Sequence, residues 1–264
     1  MTYVSLSNFD LVIAAGLLLI NGALSLAFRL GLERSLAIAA VRMVVQLGAI
    51  GFVLRFIFAQ TSPAWTVALA LVMVIAAGRE VWARQTNPFK GWWTYGLGTS
   101  TLLFVGILGT VFGVAGLIGP EPWYAARFIL PIMGMMLGNA LTGVSLALET
   151  LTATARRERT AIEARIALGD TRLQALKEAL RQALKTGTMP IINAMAASGI
   201  VALPGMMTGQ ILSGVDPVEA TKYQLLIMFL IAGTTALGVL IATFGGVYLL
   251  TDERHRLRLD RLAG

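Results

Sequence analysis

The side chains able to carry chemistry in this sequence are few. There is one histidine, His255, in a basic C-terminal tail, and there is no cysteine, which excludes disulfides and thiolate metal sites. No nucleophile is paired with a histidine, and no carboxylates cluster at ligand spacing within the apolar runs, so the pattern holds no catalytic constellation. What remains is a set of polar residues embedded in apolar sequence. Arg42 and Gln46 stand four residues apart in AVRMVVQLGAIGFVLRFIF, on one helical face. A charge inside a membrane span is expensive and faces protein or water, so Arg42 either serves a pathway or snorkels to the nearby interface. Asn139 lies mid-run in LPIMGMMLGNALTGVSLALET, where its amide calls for an interhelical hydrogen bond or a pathway contact. Met133, Met135, Met136, Met206 and Met207 offer thioethers soft enough for copper-like ions, and equally the adaptable packing of a helix bundle. Asp216 and Glu219 are placed to meet a cation at an exit or to cap the helix that follows. Pro204-Gly205 interrupts an apolar run, as discontinuous helices at transport sites do. Pro204, Gly205, Met206, Met207 and Gly209 therefore join Arg42, Gln46 and Asn139 as candidate pathway residues.

The elements that must hold these residues are apolar helices. With 56% hydrophobic and 13% charged residues, against about 25% charged in soluble domains, the chain belongs in a bilayer. About 20 apolar residues cross the hydrocarbon, and the pattern predicts seven spans: 9–28, 36–58, 64–83, 95–118, 128–150, 188–213 and 223–250. Turn chemistry separates several of them, at Gln60-Thr61-Ser62-Pro63, Asn87-Pro88, Gly119-Pro120-Glu121-Pro122 and Gly214-Val215-Asp216-Pro217. The N-terminal MTYVSLSNFD lacks the basic region of a signal peptide, which makes the first span a retained helix. The reading is an all-α polytopic bundle of one permease-like domain over 1–264, with no room for a second globular domain. Gly-x-x-x-Gly pairs at Gly109/Gly113, Gly134/Gly138 and Gly205/Gly209 are candidate helix contacts. Pro190 is placed to open the sixth span.

Positive charge fixes the orientation. Sixteen Lys and Arg occupy alternate loops and the C-terminus: Arg29 and Arg34, Arg84 and Lys90, eight from Arg156 to Lys185, and four from Arg254 to Arg261. The opposite side holds Arg127 and Lys222 alone. The N-terminus is outside and the C-terminus inside. Because the charge lies in loops rather than on a soluble basic face, it argues against nucleic acid as a partner.

The longest cytoplasmic loop, 152–187, is rich in Ala, Leu, Arg and Glu, a strong helix-forming composition. Gly169 suits a helix C-terminus, and Thr171 with Gln174 three residues on reads as a capping box. Leu173, Leu176, Leu180 and Leu184 fall on one stripe of the second helix. The expectation is an amphipathic helix pair with a sharp joint. Such a pair fits a groove in a protein partner, or lies on anionic lipid; its acidic residues Glu158, Glu163, Asp170 and Glu178 favour the protein. No Gly-x-x-x-x-Gly-Lys-Ser/Thr phosphate loop is present, so any ATP would be handled by another chain.

Glu163-Ala164 followed by Gly169 resembles the EAA loop of ABC importer-type permeases, although Arg165 stands where that pattern often has a second Ala and Pro190 comes late. Over nearly its full length the sequence resembles the FetB-type permeases, a family of iron exporters related to plant proteins linked to aluminium tolerance. The matching words are Arg42-x3-Gln46-Leu47-x3-Gly51, Pro131-Ile132-x-Gly134-Met135-x2-Gly138-Asn139, Leu203-Pro204-Gly205-Met206-Met207-x-Gly209 and Gly214-x-Asp216-Pro217 through Gln224. The resemblance implies an inner-membrane subunit, multi-pass, paired as a homodimer with two copies of a cytoplasmic ATPase that binds ATP and Mg, this chain holding no cofactor. Glu163, Ala164, Gly169, Asp170 and Thr171 would receive the ATPase. The exported substrate would be a metal ion such as iron. The alternatives are a secondary transporter without an ATPase and an ABC permease for an organic solute.

Overall fold

The computed structural model describes residues 7–59 and 62–263. The N-terminal segment 1–6 and the turn residues Gln60 and Thr61 lie outside the described residues. Among the described residues all regular structure is helical: α1 (Asn8–Ala27), α2 (Glu33–Phe58), α3 (Pro63–Ala83), α4 (Trp93–Thr110), α5 (Ala126–Arg157), α6 (Arg159–Ala167), α7 (Arg172–Ala175), α8 (Lys177–Ala197), α9 (Gly205–Leu212) and α10 (Pro217–Leu250). Contacts divide the chain into two units, 1–61 and 62–264. The first is the hairpin of α1 and α2. Its turn is closed by Ser25, whose hydroxyl donates to Glu33 at 2.9 Å and accepts from the Leu32 backbone at 3.0 Å.

In the second unit, α3, α4, α5, α8, α9 and α10 form a bundle with α5 at its centre, because α5 packs on α3, α4, α8 and α10. Its middle layer contains Val74, Val81, Leu102, Val105, Met133, Leu137, Val144 and Leu148. Lipid supplies no hydrophobic drive between helices, so close approach at small residues holds this layer. A Cβ on Gly109 would lie 2.5 Å from Met136 and from Thr234, and one on Gly113 would meet Leu230, so that Gly-x-x-x-Gly pair is a true contact. The other two pairs are not: a Cβ on Gly138, Gly205 or Gly209 would meet nothing within 4 Å, and one on Gly134 only the tip of Met73. The tightest backbone crossing joins Gly143 of α5 to Gly187 of α8, glycines with no Gly-x-x-x-Gly spacing.

Among the described residues six helices are long and apolar enough to cross a membrane: the first five predicted spans and the last. The fourth continues beyond Thr110 as a π-helix, Val111–Ile118, ended by Gly119 in a left-handed conformation. The predicted sixth span, 188–213, is instead shared between α8 and α9. α8 runs through Pro190, which lies inside it rather than opening it. The helix is interrupted by a turn over 198–204, with Gly199 at φ +88°, its N–H donating to the Ala202 carbonyl at 2.9 Å, and Pro204 as the N-cap of α9. The break thus centres on the glycine five residues before Pro204, whose left-handed backbone turns the chain. α8 leaves the cluster of Ala179, Ala183, Val247 and Leu250 and reaches Ile227 and Ile231 through Ile191. α9 then packs on the beginning of α10, and the predicted 188–213 span is not one continuous membrane-length helix.

The 152–187 segment is less of a loop than its composition suggests. α5 continues to Arg157 and α8 starts at Lys177, so both helices extend into the segment. At about 1.5 Å per residue, α5 and α10 are about 48 and 51 Å long, against about 30 Å of hydrocarbon. The excess carries a head on the side rich in Lys and Arg, the side expected to face the cytoplasm.

Candidate functional site

The head is built around a hydrophobic cluster in water, where burial is worth about 2 kcal/mol for a large side chain. Leu151, Ala155, Ile162, Ala175, Leu176, Val247, Leu250, Phe89 and Leu262 meet there, each buried. The predicted leucine stripe is only partly its inner face: Leu176 is fully buried, Leu180 and Leu184 half-buried and Leu173 exposed. The buried line runs instead through Ala175, Ala179, Ala183 and Gly187, because small side chains let α8 approach α5 and α10.

α6 stands on this cluster through Ile162 and ends at the predicted glycine. Gly169 is left-handed, at φ +101°. Its N–H donates to the Ile166 carbonyl and that of Asp170 to the Arg165 carbonyl, both at 3.0 Å. This is the Schellman closure that only glycine makes without strain. Arg165 also donates to the Asp170 carboxylate at 3.0 Å, bracing the joint from its side chain. Thr171 caps the next helix as expected, its N–H and hydroxyl donating to Gln174 Oε1 at 2.9 and 2.8 Å. Glu163 and Ala164 are exposed on α6, with Glu163 accepting from Arg159 at 2.8 Å. The candidate coupling residues thus share one exposed tip.

The C-terminal tail, 251–263, locks onto the head. Arg261 caps the end of α10 by donating to the Leu249 and Thr251 carbonyls at 2.9 and 3.0 Å. The Lys90 N–H donates to the Arg261 carbonyl, and the Ala263 N–H to that of Pro88, both at 2.7 Å, binding the tail to the α3–α4 loop. Arg172, at the joint, donates to His255 Nδ1 at 3.1 Å and lies over the Tyr248 ring at 4.9 Å. Two oxygens of Asp260 accept from Arg258 at 2.9 and 2.8 Å, which holds that carboxyl down at about 2.

The candidate pathway residues are spread more widely. Arg42 and Gln46 are exposed on α2, in the first unit. The Asn139 amide donates to the Met135 carbonyl one turn back at 2.8 Å, a bond within its own helix rather than to a neighbour. The i−4 carbonyl is within reach of a short side chain, so no partner helix is needed. Met206 and Met207 are half-buried at the start of α9, and Met206 packs on the cluster around Ile227. The Oε1 atoms of Gln210 on α9 and Gln224 on α10 are buried without a hydrogen-bond partner. Asp216 acts as a cap, accepting from the Val218 and Glu219 N–H groups at 2.9 and 3.3 Å, and Glu219 pairs with Lys222 at 2.6 Å. Among the described residues no three His, Cys, Asp or Glu side chains gather to hold a metal.

Residues 8–249 match the family described as Uncharacterised protein family (UPF0014). The chain belongs to the UPF0014 family. Among its UPF0014 relatives, the membrane protein slr1647 of Synechocystis is 35% identical, covering 86% of both chains. The protein ALUMINUM SENSITIVE 3 of Arabidopsis thaliana is 31% identical over 88% of this chain and 83% of its own. The probable iron export permease protein FetB of Escherichia coli is 28% identical over 98% and 97%. No solved structure matches. The matched residues of this UPF0014 chain take in the six long apolar helices and the joint between α6 and α7, and the chain is a multi-pass membrane protein.

One residue of the tip was not legible in the sequence. Leu168, between α6 and Gly169, is 89% exposed, beyond any membrane-length helix and far barer than Leu173, the head's other exposed leucine at 37%. Only its place one residue before a helix-ending glycine could have pointed to it.

Proposed function

We propose that this chain is the membrane permease subunit of an ATP-driven exporter, and that the tip Glu163–Thr171 seats a separate cytoplasmic ATPase. The observation that carries the reading is the tip itself. A bare leucine at a glycine-closed joint ends α6, which stands through Ile162 on the cluster it shares with α5, α8 and α10, so force applied at Leu168 reaches α5 and α8 through that packing. Exposed apolar anchors of this kind, ringed by polar groups, mark protein contacts. Around it, Glu163, Arg159 and Asp170 supply the polar rim.

The pathway in this reading follows the break between α8 and α9. The helix breaks there, and Met206, Met207 and Gln210 on α9, with Gln224 on α10, offer neutral sulfur and oxygen. The name of the FetB relative supports a metal ion, iron first, as the exported substrate. The donor set is neutral rather than carboxylate, which suits weak, passing coordination better than storage. Two permease copies with two ATPase subunits would make the working assembly.

The test is purification of the tagged chain from native membranes in mild detergent. The reading expects an ATP-binding subunit to co-purify and to be lost from Leu168→Asp, while Leu173→Asp, another exposed head leucine, retains it. A chain that transports with no such subunit overturns it.

A further inference from the structure

A cavity of about 510 Å³ opens beside the head, lined by Phe89, Lys90, Trp93, Leu249, Asp260 and Arg261. Its level is set by tryptophan. Trp92 and Trp93 open α4 where the chain leaves the basic loop, and they are 73% and 59% exposed. Exposed tryptophans at a span end mark the bilayer interface. The walls are apolar, from Phe89, Trp93 and Leu249, while two cations stand among them. The Arg261 guanidinium is fixed in place by the Leu249 and Thr251 carbonyls. Lys90 is exposed, and its backbone N–H donates to the Arg261 carbonyl at 2.7 Å, which holds the two residues side by side. The one carboxylate, Asp260, is already neutralised by two hydrogen bonds from Arg258.

From this arrangement we infer that the cavity is a binding site for one anionic phospholipid of the cytoplasmic leaflet. The phosphate meets Lys90 and Arg261, and the glycerol and upper acyl chain lie on Trp93, Phe89 and Leu249. A soluble anion would gain the charge but not the apolar walls; a zwitterionic lipid would gain the walls but bring its own cation. Basic pockets at the cytoplasmic ends of membrane helices select acidic headgroups on these terms. Since the tail residues Arg261 and Ala263 hydrogen-bond to the α3–α4 loop beside this cavity, the lipid would pin the tail against that loop. The inference stands on membrane insertion and does not depend on an ATPase.

The full chain, delipidated in detergent, is titrated with phosphatidylglycerol, or with phosphatidylcholine of the same acyl chains, and followed by native mass spectrometry. The expected result is one phosphatidylglycerol per chain held at least about ten-fold more tightly than phosphatidylcholine. Lys90→Glu loses that preference, Lys90→Arg keeps it, and Arg254→Gln, outside the cavity, keeps it. Inorganic phosphate at millimolar concentration does not displace the lipid. Unchanged phosphatidylglycerol binding by a Lys90→Glu chain of wild-type melting temperature overturns the site. Equal binding of the two lipids, or displacement by phosphate, overturns it too. Should Lys90→Glu not fold, Lys90→Gln gives the same reading with half the charge change.

Discussion

Gly143 on α5 and Gly187 on α8 approach so closely that a Cβ added to either would lie 2.8 Å from the other's carbonyl oxygen. Val239 of α10 closes the same crossing, 2.9 Å from a Cβ at Gly143 and 3.0 Å from one at Gly187. The obstacle is backbone, which cannot swing aside. Gly187→Ala and Gly143→Ala are therefore expected to destabilise the bundle by about 1–3 kcal/mol, the range for overpacking, despite alanine's better helix propensity. Gly138→Ala, with nothing within 4 Å, is expected to be neutral or stabilising. Melting temperatures of the purified proteins in one detergent check the order.

The joint makes a second prediction. Gly169→Val places a branched side chain at φ +101° and is expected to cost about 1–3 kcal/mol of local strain without touching the bundle core. Hydrogen exchange of α6 and α7 should rise while that of α5 and α10 stays at the wild-type level.

The tail clasp is testable by proteolysis. Leu262 is 2% exposed in the head cluster, so Leu262→Ala should weaken tail packing by about 2–4 kcal/mol. Arg172→Ala, which removes the contacts to His255 and Tyr248, should loosen the tail less. Cleavage within 252–258 is expected to be faster in both variants, and fastest in Leu262→Ala.

Acid should release part of the tail. Asp260 is held down at about 2 by Arg258, against an ordinary 3.8, so its contribution is present above pH 3.8 and lost as the pH falls through about 2. Tail protection should be flat from pH 5 to 8 and decline below pH 4. In Asp260→Asn the acid step should shrink.

Much of this architecture is legible in the sequence, for identifiable reasons. Span length, turn residues and charge asymmetry are local properties, and they locate ten of the twelve ends of the six long helices within about three residues. Gly169, Thr171 and Asp216 declare themselves because helix ends are satisfied by neighbours in sequence. The Gly143–Gly187 crossing is invisible because it pairs residues of two helices that share no spacing. Pro190 misleads because a proline within a helix costs one hydrogen bond, which tertiary packing on α5 and α10 can offset. The break before Pro204 follows from Gly199, one of 28 glycines and unmarked by anything nearby. The tail has no periodicity, so its folding onto the head depends on partners distant in sequence.

The most direct test of the central claim measures ATP hydrolysis and metal movement together in liposomes holding this chain and its ATPase. Wild-type protein should move iron only when ATP is hydrolysed. Leu168→Asp and Gly169→Val should insert normally yet lower iron moved per ATP at least about ten-fold, the loss expected when an interface anchor of roughly 1.4 kcal/mol or more is removed. Iron moved per ATP unchanged in both variants, or iron moving without ATP, would contradict the account.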